Sequence, residues 1–335
     1  MGDPAADVVV VGAGVIGLTT AICLAEAGLT VLVISAEQPR QTTSAAAGAL
    51  WGPHLVGKDE RIGRWAAVTL ERLEELRAPR IGAGALAGIV RMVDGMAASA
   101  AAGSEPPEYA AAGSLTPCGP GEVPAGYATA WRLSAPLIAM PAYLDYLAER
   151  LSRAGGTIAI GPRLRTLADP RDEASSARVI VNCTGYGARE LVPDPDVTAV
   201  RGQAVVVRNP GITEFFVGSG AAHWPLTYLF PHDDVVLLGG TEELASTGRE
   251  PDPGTAERII AACAAIRPEL RDAAVLEHRV GLRPVRPSVR LEVASGTEID
   301  DGVTVVHSYG HGGAGVTLSW GCAEDAAQLV LEVLG

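Results

Sequence analysis

The hydrophobic and polar positions along the chain follow two patterns. In the first, short apolar runs such as Val8–Val11 alternate with stretches in which apolar residues recur three or four positions apart. The runs predict buried parallel strands, and the stretches predict helices that pack on them. In the second pattern, apolar runs follow one another with turn residues between them, which predicts antiparallel strands.

The order of the two patterns predicts two interleaved domains. The expected fold class is α/β: a Rossmann-type, nucleotide-binding domain with discontinuous segments plus an antiparallel-β-rich domain that would hold the substrate. The first domain would comprise residues 1–55, 140–195 and 290–335, and the second would comprise residues 56–139 and 196–289.

Individual elements follow from the same patterns. Helices are predicted over residues 14–27, 62–76, 140–153 and about 316–334. Strands are predicted over residues 8–11, 30–34, 157–160, 178–182, 203–208, 226–239, 275–282 and 303–306, with a hairpin turn at 231–234. Residues 97–107 are small, polar and proline-containing, so a surface loop is expected there.

Charge and cysteine content narrow the possible partners. The net charge is −13, so the surface repels nucleic acid and anionic lipid, and neither is expected as a partner. The five cysteines are odd in number and none stands in a metal-ligand spacing, which favours no disulfide framework, no metal site and a reducing cytoplasm. The uncharged run from Val8 to Ala25 is interrupted by three glycines and preceded by no basic segment, so neither a membrane span nor a signal peptide is expected.

A glycine motif follows the first predicted strand. Its residues are Gly12, Ala13, Gly14, Val15, Ile16 and Gly17, and the acidic residue Glu37 stands about twenty residues further on. In a Rossmann unit the first glycine permits a tight turn, the second lets the backbone approach a pyrophosphate, and the third lets helix and strand pack closely. Glu37 would accept hydrogen bonds from ribose hydroxyls. The motif predicts a dinucleotide site but does not distinguish NAD from FAD.

Three later segments resemble one family. Residues 305–317 (VVHSYGHGGAGVT), residues 281–287 (GLRPVRP) and residues 42–53 (TTSAAAGALWGP) are similar to the signature, arginine and second flavin segments of the D-amino acid oxidase family, with bacterial members closest in pattern. Shorter matches lie at residues 181–185, at residues 201–203 and at Tyr228. Together they span nearly the whole chain in order.

The resemblance implies non-covalent FAD and oxidation of a D-amino acid. A hydride would pass from the substrate Cα to flavin N5, and the products would be a 2-oxo acid, ammonia and hydrogen peroxide. Beyond the glycine motif and Glu37, it assigns flavin contacts to Thr42, Thr43, Ser44, Gly48, Ala49, Leu50, Trp51, Leu164, Thr184, Gly185, Gly310, Gly312, Gly315, Val316 and Thr317.

The resemblance also assigns four residues to the substrate. Arg283 would bind the α-carboxylate through a planar, bidentate guanidinium, and Tyr228 would donate its hydroxyl to the same carboxylate. The carbonyl of Gly313 would accept from the substrate amine. Trp224 stands where animal relatives have a tyrosine lid, so it would cover the pocket without that hydroxyl.

Substrate preference and several alternatives stay open at this stage. Phe215, Phe216 and Leu237 would make an apolar pocket, which favours neutral D-amino acids over D-aspartate, whereas His54 could bind an acidic side chain. A D-aspartate oxidase, a glycine or sarcosine oxidase, a dinucleotide-binding protein without activity and an NAD dehydrogenase are the alternatives. The expected small-molecule partners are a D-amino acid and oxygen, and a homodimer is left open.

Overall fold

The computed structural model describes residues 6–77, 88–106, 115–167, 169, 177–221, 224–294 and 303–335. Its helices are α1 Val15–Glu26, α2 Ile62–Arg77, α3 Met140–Arg153, α4 Ala188–Leu191, α5 Pro253–Ile266 and α6 Gly315–Leu334. Its strands are β1 Val8–Val11, β2 Val31–Ser35, β3 Val90–Ser99, β4 Leu115–Pro117, β5 Thr129–Ile138, β6 Thr157–Ile160, β7 Val179–Asn182, β8 Thr198–Arg208, β9 Phe215–Ala221, β10 Trp224–His232, β11 Val235–Gly239, β12 Glu243–Leu244, β13 Val275–Val293 and β14 Thr304–His311.

One half of the molecule is a parallel sheet in the order β14, β7, β1, β2, β6. Val8 pairs with Val31 on one side and with Val179 on the other. All four residues of β1 and all four of β7 are buried, because neighbours cover both faces. This is the Rossmann arrangement that the apolar runs predicted.

The other half is built from β4, β5, β3, β9, β10, β11, β8 and β13, and its pairs are antiparallel apart from β3 with β9. The long strand β13 joins the halves: Val280 pairs with Gln203 of β8, and Leu291 pairs with Ser308 of β14. Hydrogen bonding therefore runs unbroken from one half to the other. The predicted fold class is confirmed.

Four helices, α1, α2, α3 and α6, share the main apolar core with the parallel strands. Trp320 and Tyr143 lie fully buried in that core, and the Trp320 indole nitrogen donates to the Tyr143 hydroxyl at 2.8 Å. Helix α2 packs on α6 in the same core, with Trp65 and Leu73 buried. Residues 62–77 thus lie with the Rossmann half, and the division of the chain into two domains at the predicted boundaries stays a prediction.

Several sequence expectations need correction. Residues 97–99 belong to β3 rather than to a surface loop, and residue 107 lies outside the described residues. Strand β3 has apolar residues but no regular alternation of apolar and polar positions, so the pattern did not reveal it. The strand nevertheless packs tightly: a Cβ on Gly95 would lie 2.4 Å from Phe215.

No helix among the described residues is long and apolar enough to cross a membrane.

Candidate active site

A cavity of about 810 Å³ opens at the carboxyl ends of β1, β2 and β7 and continues across to β8, β10 and β13. Ligands of open α/β sheets bind at such strand ends. We call the part near the glycine motif the nucleotide end, and the part lined by Arg283, Tyr228, Leu226, His54 and Gly313 the arginine end.

Gly12 and Gly17 have the turn and packing geometry that the sequence predicted, and the approach of a pyrophosphate to Gly14 stays a prediction. Gly12 has φ of +111°, and a Cβ there would lie 2.6 Å from the Cys183 carbonyl oxygen. A Cβ on Gly17 would lie 1.8 Å from the Gly12 carbonyl oxygen, so this residue serves helix–strand packing and does not line the cavity. Gly12, Ala13, Gly14, Val15 and Ile16 all line it. The backbone nitrogens at the start of α1 can therefore face an anion.

Glu37 lies at the nucleotide end, as expected for a ribose-binding carboxylate. Its carboxylate pairs with Arg249, which also lines the cavity and comes from a loop more than two hundred residues away. No local pattern in the sequence pointed to Arg249. Leu164 lines the same end, beside Arg163.

The second flavin segment crosses the middle of the cavity, and all of its predicted contact residues line it: Thr42, Thr43, Ser44, Gly48, Ala49, Leu50 and Trp51. The Ser44 hydroxyl accepts from the Val15 backbone nitrogen at 3.0 Å, which ties the segment to the start of α1. The Thr317 hydroxyl donates to the Gly52 carbonyl at 2.9 Å, which ties it to α6. Thr184 and Gly185 line the cavity from the end of β7.

The glycine turn before α6 brings backbone to the cavity wall. Gly312 has φ of +57°, and a Cβ there would lie 1.8 Å from the Leu55 carbonyl oxygen. Gly312, Gly313, Gly315, Val316 and Thr317 line the cavity. Gly310 does not: it has φ of +84° and packs against the Arg286 side chain, so its role is to shape the turn.

Arg283 lies at the arginine end with its guanidinium against Gly202. A Cβ on Gly202 would lie 2.5 to 2.6 Å from the guanidinium atoms, so only glycine leaves room for it. Arg283 Nη1 donates to the Thr241 carbonyl at 2.9 Å, and this is its one hydrogen bond within the described part of the chain. The remaining N–H groups are left for an anionic ligand. Arg286 pairs instead with Asp194, and Arg290 donates to the Tyr309 hydroxyl.

Tyr228 lines the same end and stacks on Phe230, with ring centroids 4.8 Å apart. A Cβ on Gly48 would lie 2.6 Å from the Phe230 ring, so the second flavin segment lies directly against this stack. Burial raises the pKa of Tyr228, which the positive charge of Arg283 partly offsets. Tyr228 is therefore a neutral hydrogen-bond donor at physiological pH.

Trp224 and the predicted apolar pocket residues lie elsewhere. The Trp224 indole donates to the Gly240 carbonyl at 2.9 Å, Arg258 lies over its ring, and it is not part of the cavity lining. Phe215, Phe216 and Leu237 are buried in the antiparallel half and do not line the cavity either. Phe216 packs on the side of the sheet that α5 covers. Phe215 and Leu237 share a cluster with Tyr228 and Phe230 but lie deeper in it, away from the cavity wall. Leu226 and Val217 line the cavity instead.

The cavity fits a large, polar cofactor. Ser308 and His311 line it, and Ser308 Oγ and His311 Nε2 are buried without a hydrogen-bond partner among the described residues. A buried polar atom without a partner is costly unless a ligand satisfies it. Burial lowers the pKa of His311 to about 3, so its imidazole is neutral. The volume, the glycine-lined walls and the two unpartnered atoms fit FAD.

Comparison with known proteins decides the family. Residues 7–329 match the model of the FAD dependent oxidoreductase family. The chain belongs to this family. It is therefore an enzyme, an oxidoreductase, and its cofactor is FAD. D-amino-acid oxidase of Rubrobacter xylanophilus is 46% identical over 330 residues, with 98% of this chain and 97% of the relative covered. D-amino-acid oxidase of Streptomyces coelicolor is 45% identical over 333 residues and 96% of each chain.

More distant relatives have the same architecture but are named for other substrates. Human D-aspartate oxidase is 32% identical, over 98% of this chain and 95% of its own. The crystal structure of glycine oxidase from Geobacillus kaustophilus superposes with a TM-score of 0.78 at 18% identity, and covers 98% of this chain and 95% of its own. The fold is thus shared with enzymes that are named for other substrates.

Proposed function

We propose that this protein is a D-amino-acid oxidase that acts on D-amino acids with neutral side chains. The observation that carries the proposal is the Arg283 guanidinium, held against Gly202 beside Tyr228 at the end of a cavity that fits FAD. The two relatives named D-amino-acid oxidase at 45% and 46% identity over nearly the whole chain support the same activity. The products would be a 2-oxo acid, ammonia and hydrogen peroxide.

Arg283 would anchor the substrate α-carboxylate. Its hydrogen bond to the Thr241 carbonyl fixes the plane of the guanidinium and leaves its other N–H groups for a bidentate pair. The Tyr228 hydroxyl, which has no hydrogen-bond partner among the described side chains, would add a second donor to that carboxylate. Two donors fix the position and the angle of the substrate, and orientation of this kind lowers the barrier to the reaction.

The glycine turn would serve the reacting centre. The Gly313 carbonyl would accept a hydrogen bond from the substrate amine. The backbone N–H groups at the start of α6 would stabilise negative charge on the reduced flavin. The bound FAD supplies the oxidising chemistry, the removal of hydride from Cα. No described side chain has to act as a strong base in that step, and His311 is a weak base because burial lowers its pKa to about 3.

The small number of arginines at the arginine end favours substrates with neutral side chains. The arginines that line the cavity are Arg163, Arg165, Arg249 and Arg283. The first three lie at the nucleotide end, so Arg283 stands alone at the arginine end within the described lining. A second carboxylate would be held there without a partner, which is costly.

Five cysteines without a disulfide support the reducing cytoplasm as the site of action.

A substrate panel tests the proposal. Purified enzyme is given D-valine, D-methionine, D-aspartate, glycine, sarcosine and the L-enantiomers, and hydrogen peroxide is measured. We expect the highest kcat/KM with D-valine or D-methionine. Turnover of D-aspartate above D-valine, or of glycine or sarcosine above every D-amino acid, would reject the proposed substrate class.

A further inference from the structure

The loop that follows β11 runs past the arginine end and is held there from two sides. The Thr241 carbonyl accepts from Arg283 Nη1 at 2.9 Å, and the Thr241 hydroxyl accepts from the Gln203 backbone nitrogen at 2.9 Å. Thr241 itself is buried. The position of the next residue, Glu242, is therefore fixed relative to Arg283.

Glu242 makes a hydrogen-bonded pair with a residue of the cavity rim. Its Oε1 lies 2.8 Å from His54 Nε2, and 33% of its side-chain surface is exposed. His54 lines the cavity and packs on the glycine turn, because a Cβ on Gly313 would lie 2.7 Å from the His54 ring. The pair thus bridges the loop after β11 and the glycine turn across the rim of the arginine end.

The carboxylate of Glu242 is ionised and interacts electrostatically with Arg283 and Tyr228. The hydrogen bond from His54, aided by the positive charge of Arg283, holds the Glu242 pKa below its usual value despite partial burial. In turn, Glu242 is one of the charges that raise the pKa of Tyr228, after burial and Cys263. Glu242 does not line the cavity, so it acts on the arginine end through its charge rather than by contact.

We propose that Glu242, held in place by His54, is a specificity-determining residue that selects substrates by side-chain charge. With the α-carboxylate on Arg283, a substrate side chain at this rim meets a fixed negative charge. Acidic D-amino acids would be disfavoured by repulsion, and basic ones such as D-lysine would be favoured. The inference rests on the proposed function and adds basic side chains to the neutral ones already argued.

A purely structural role for the pair predicts a different outcome. If Glu242 served only to hold His54 and the loop, its replacement would change kcat/KM for every substrate by the same factor. A charge effect changes the ratio between substrates in opposite directions for acidic and basic side chains. The ratio is therefore the informative measurement, and absolute activity is not.

The matched variants are Glu242→Gln and Glu243→Gln. Glutamine at 242 keeps the size and an oxygen that can accept from His54, but removes the charge. Glu243 is the adjacent glutamate and pairs with Arg201 outside the cavity lining, so it controls for loss of any one acidic residue in this loop. We expect Glu242→Gln to raise kcat/KM for D-aspartate relative to D-valine by about fivefold, and to lower that for D-lysine by a similar factor, as for a partly screened unit charge. Glu243→Gln should leave both ratios unchanged.

Non-reactive analogues separate this inference from the proposed function. Succinate, butanoate and 4-aminobutanoate carry the same α-carboxylate end with a negative, neutral or positive far end, and they lack the α-amine. Their Kd for the FAD-loaded enzyme is measured from perturbation of the flavin spectrum. Glu242→Gln should tighten succinate and weaken 4-aminobutanoate relative to butanoate, with both effects smaller at high salt.

Unchanged ratios in both experiments would overturn the role of Glu242 while leaving D-amino-acid oxidation intact. Shifted analogue ratios in an enzyme that oxidises no D-amino acid would support the charge selection and reject the proposed function. Absence of binding by all three carboxylates would overturn both, because Arg283 would then not anchor a carboxylate.

Discussion

At the scale of single residues, the proposed function depends on the guanidinium of Arg283. It has one hydrogen bond within the described chain, to the Thr241 carbonyl, whereas Arg286 and Arg290 are engaged with Asp194 and Tyr309. The sequence alone could not distinguish these three arginines without the family resemblance. Their partners favour Arg283, because Arg286 and Arg290 are already paired with the carboxylates of Asp194 and Glu292. A side chain paired with one carboxylate is poorly placed to receive another.

Replacing Arg283 with alanine should raise KM sharply for every D-amino acid. Loss of a charge-assisted bidentate pair costs about 2–4 kcal/mol, which corresponds to roughly 30- to 1,000-fold in kcat/KM. FAD content should be unchanged, since Arg283 lies at the far end from the glycine motif. Steady-state kinetics and the flavin-to-protein absorbance ratio measure the two quantities. Unaltered kinetics would exclude Arg283 as the anchor.

Gly202 offers a second test of the same geometry without touching the arginine. An alanine Cβ would lie 2.5 to 2.6 Å from the guanidinium, so Gly202→Ala should displace Arg283. We expect at least about tenfold loss in kcat/KM, since misplacement of a binding group by about 1 Å can cost a hundredfold. Stopped assays at saturating and limiting D-valine give the split between kcat and KM. If Gly202→Ala binds D-valine as well as the wild type does, the guanidinium is not where the substrate carboxylate binds.

At the scale of elements, the contact between α1 and β1 determines whether the cofactor site forms. A Cβ on Gly17 would lie 1.8 Å from the Gly12 carbonyl oxygen, so Gly17→Ala should push the helix away from the strand. We expect a destabilisation of about 1–3 kcal/mol, as for other overpacked core sites, together with weaker FAD binding. Gly63→Ala in α2 is the matched control: its Cβ meets no atom within 4 Å, and alanine is the better helix former.

Chemical denaturation and FAD titration of the apoprotein measure both effects. Gly63→Ala should be neutral or slightly stabilising, with unchanged FAD affinity. Equal stability of the Gly17→Ala and Gly63→Ala proteins would contradict the packing role assigned to Gly17.

Element predictions from the sequence succeeded where the apolar pattern was strong. Strands β1 and β7 are apolar runs and helix α3 carries a clear apolar stripe, so each was predicted to within one residue. The start of β14 was also predicted, but this strand continues five residues beyond its predicted end, to His311. Strand β3 was not predicted, because its apolar residues do not alternate regularly with polar ones. The strand forms through pairing with its neighbours β5 and β9. Helix α5 begins with a proline and an Asp252 cap, a start signal that was present in the sequence and was overlooked.

Most of the predicted flavin contacts line the cavity for the same kind of reason, and their roles stay predictions. The flavin contacts depend on backbone turns that need glycine, and such positions can be read from a sequence. Arg249 and Glu242 reach the site from a loop between β11 and α5, and only tertiary pairing with Glu37 and His54 reveals them. Trp224 was misplaced because a position in a strand does not show which neighbour its side chain contacts.

At the scale of the whole molecule, the buried His311 and the partly buried His232 should make stability depend on pH. Burial lowers the pKa of His232 to about 4, aided by Arg91 and Arg279 against the opposing charge of Asp233, and it lowers that of His311 to about 3. The unfolded chain binds protons at these sites near pH 6.5. The unfolded state therefore gains protons first as pH falls, and stability declines from about pH 6.5 to about pH 4.

Replacing His232 with glutamine should flatten part of that decline. The upper bound for the His232 contribution is about 3.5 kcal/mol across the window, from about 1.4 kcal/mol per pKa unit. Denaturation of the holoenzyme at several pH values measures the slope, and His278→Gln on an exposed position of β13 is the control. If the unfolding free energy changes with pH equally in the wild type and in His232→Gln, protonation of His232 is not linked to unfolding.

The whole molecule joins a Rossmann half that fits the ADP part of FAD to an antiparallel half that carries Arg283 and Tyr228, across one unbroken sheet. The central claim is that the bound FAD oxidises D-amino acids. Anaerobic reduction of the flavin tests this claim most directly, because it needs neither oxygen nor a coupled assay. Purified holoenzyme is mixed without oxygen with D-valine or L-valine, and the visible flavin absorption is followed. We predict rapid bleaching by D-valine and none by L-valine. Bleaching by L-valine at an equal rate, or no bleaching by any D-amino acid, would contradict the account.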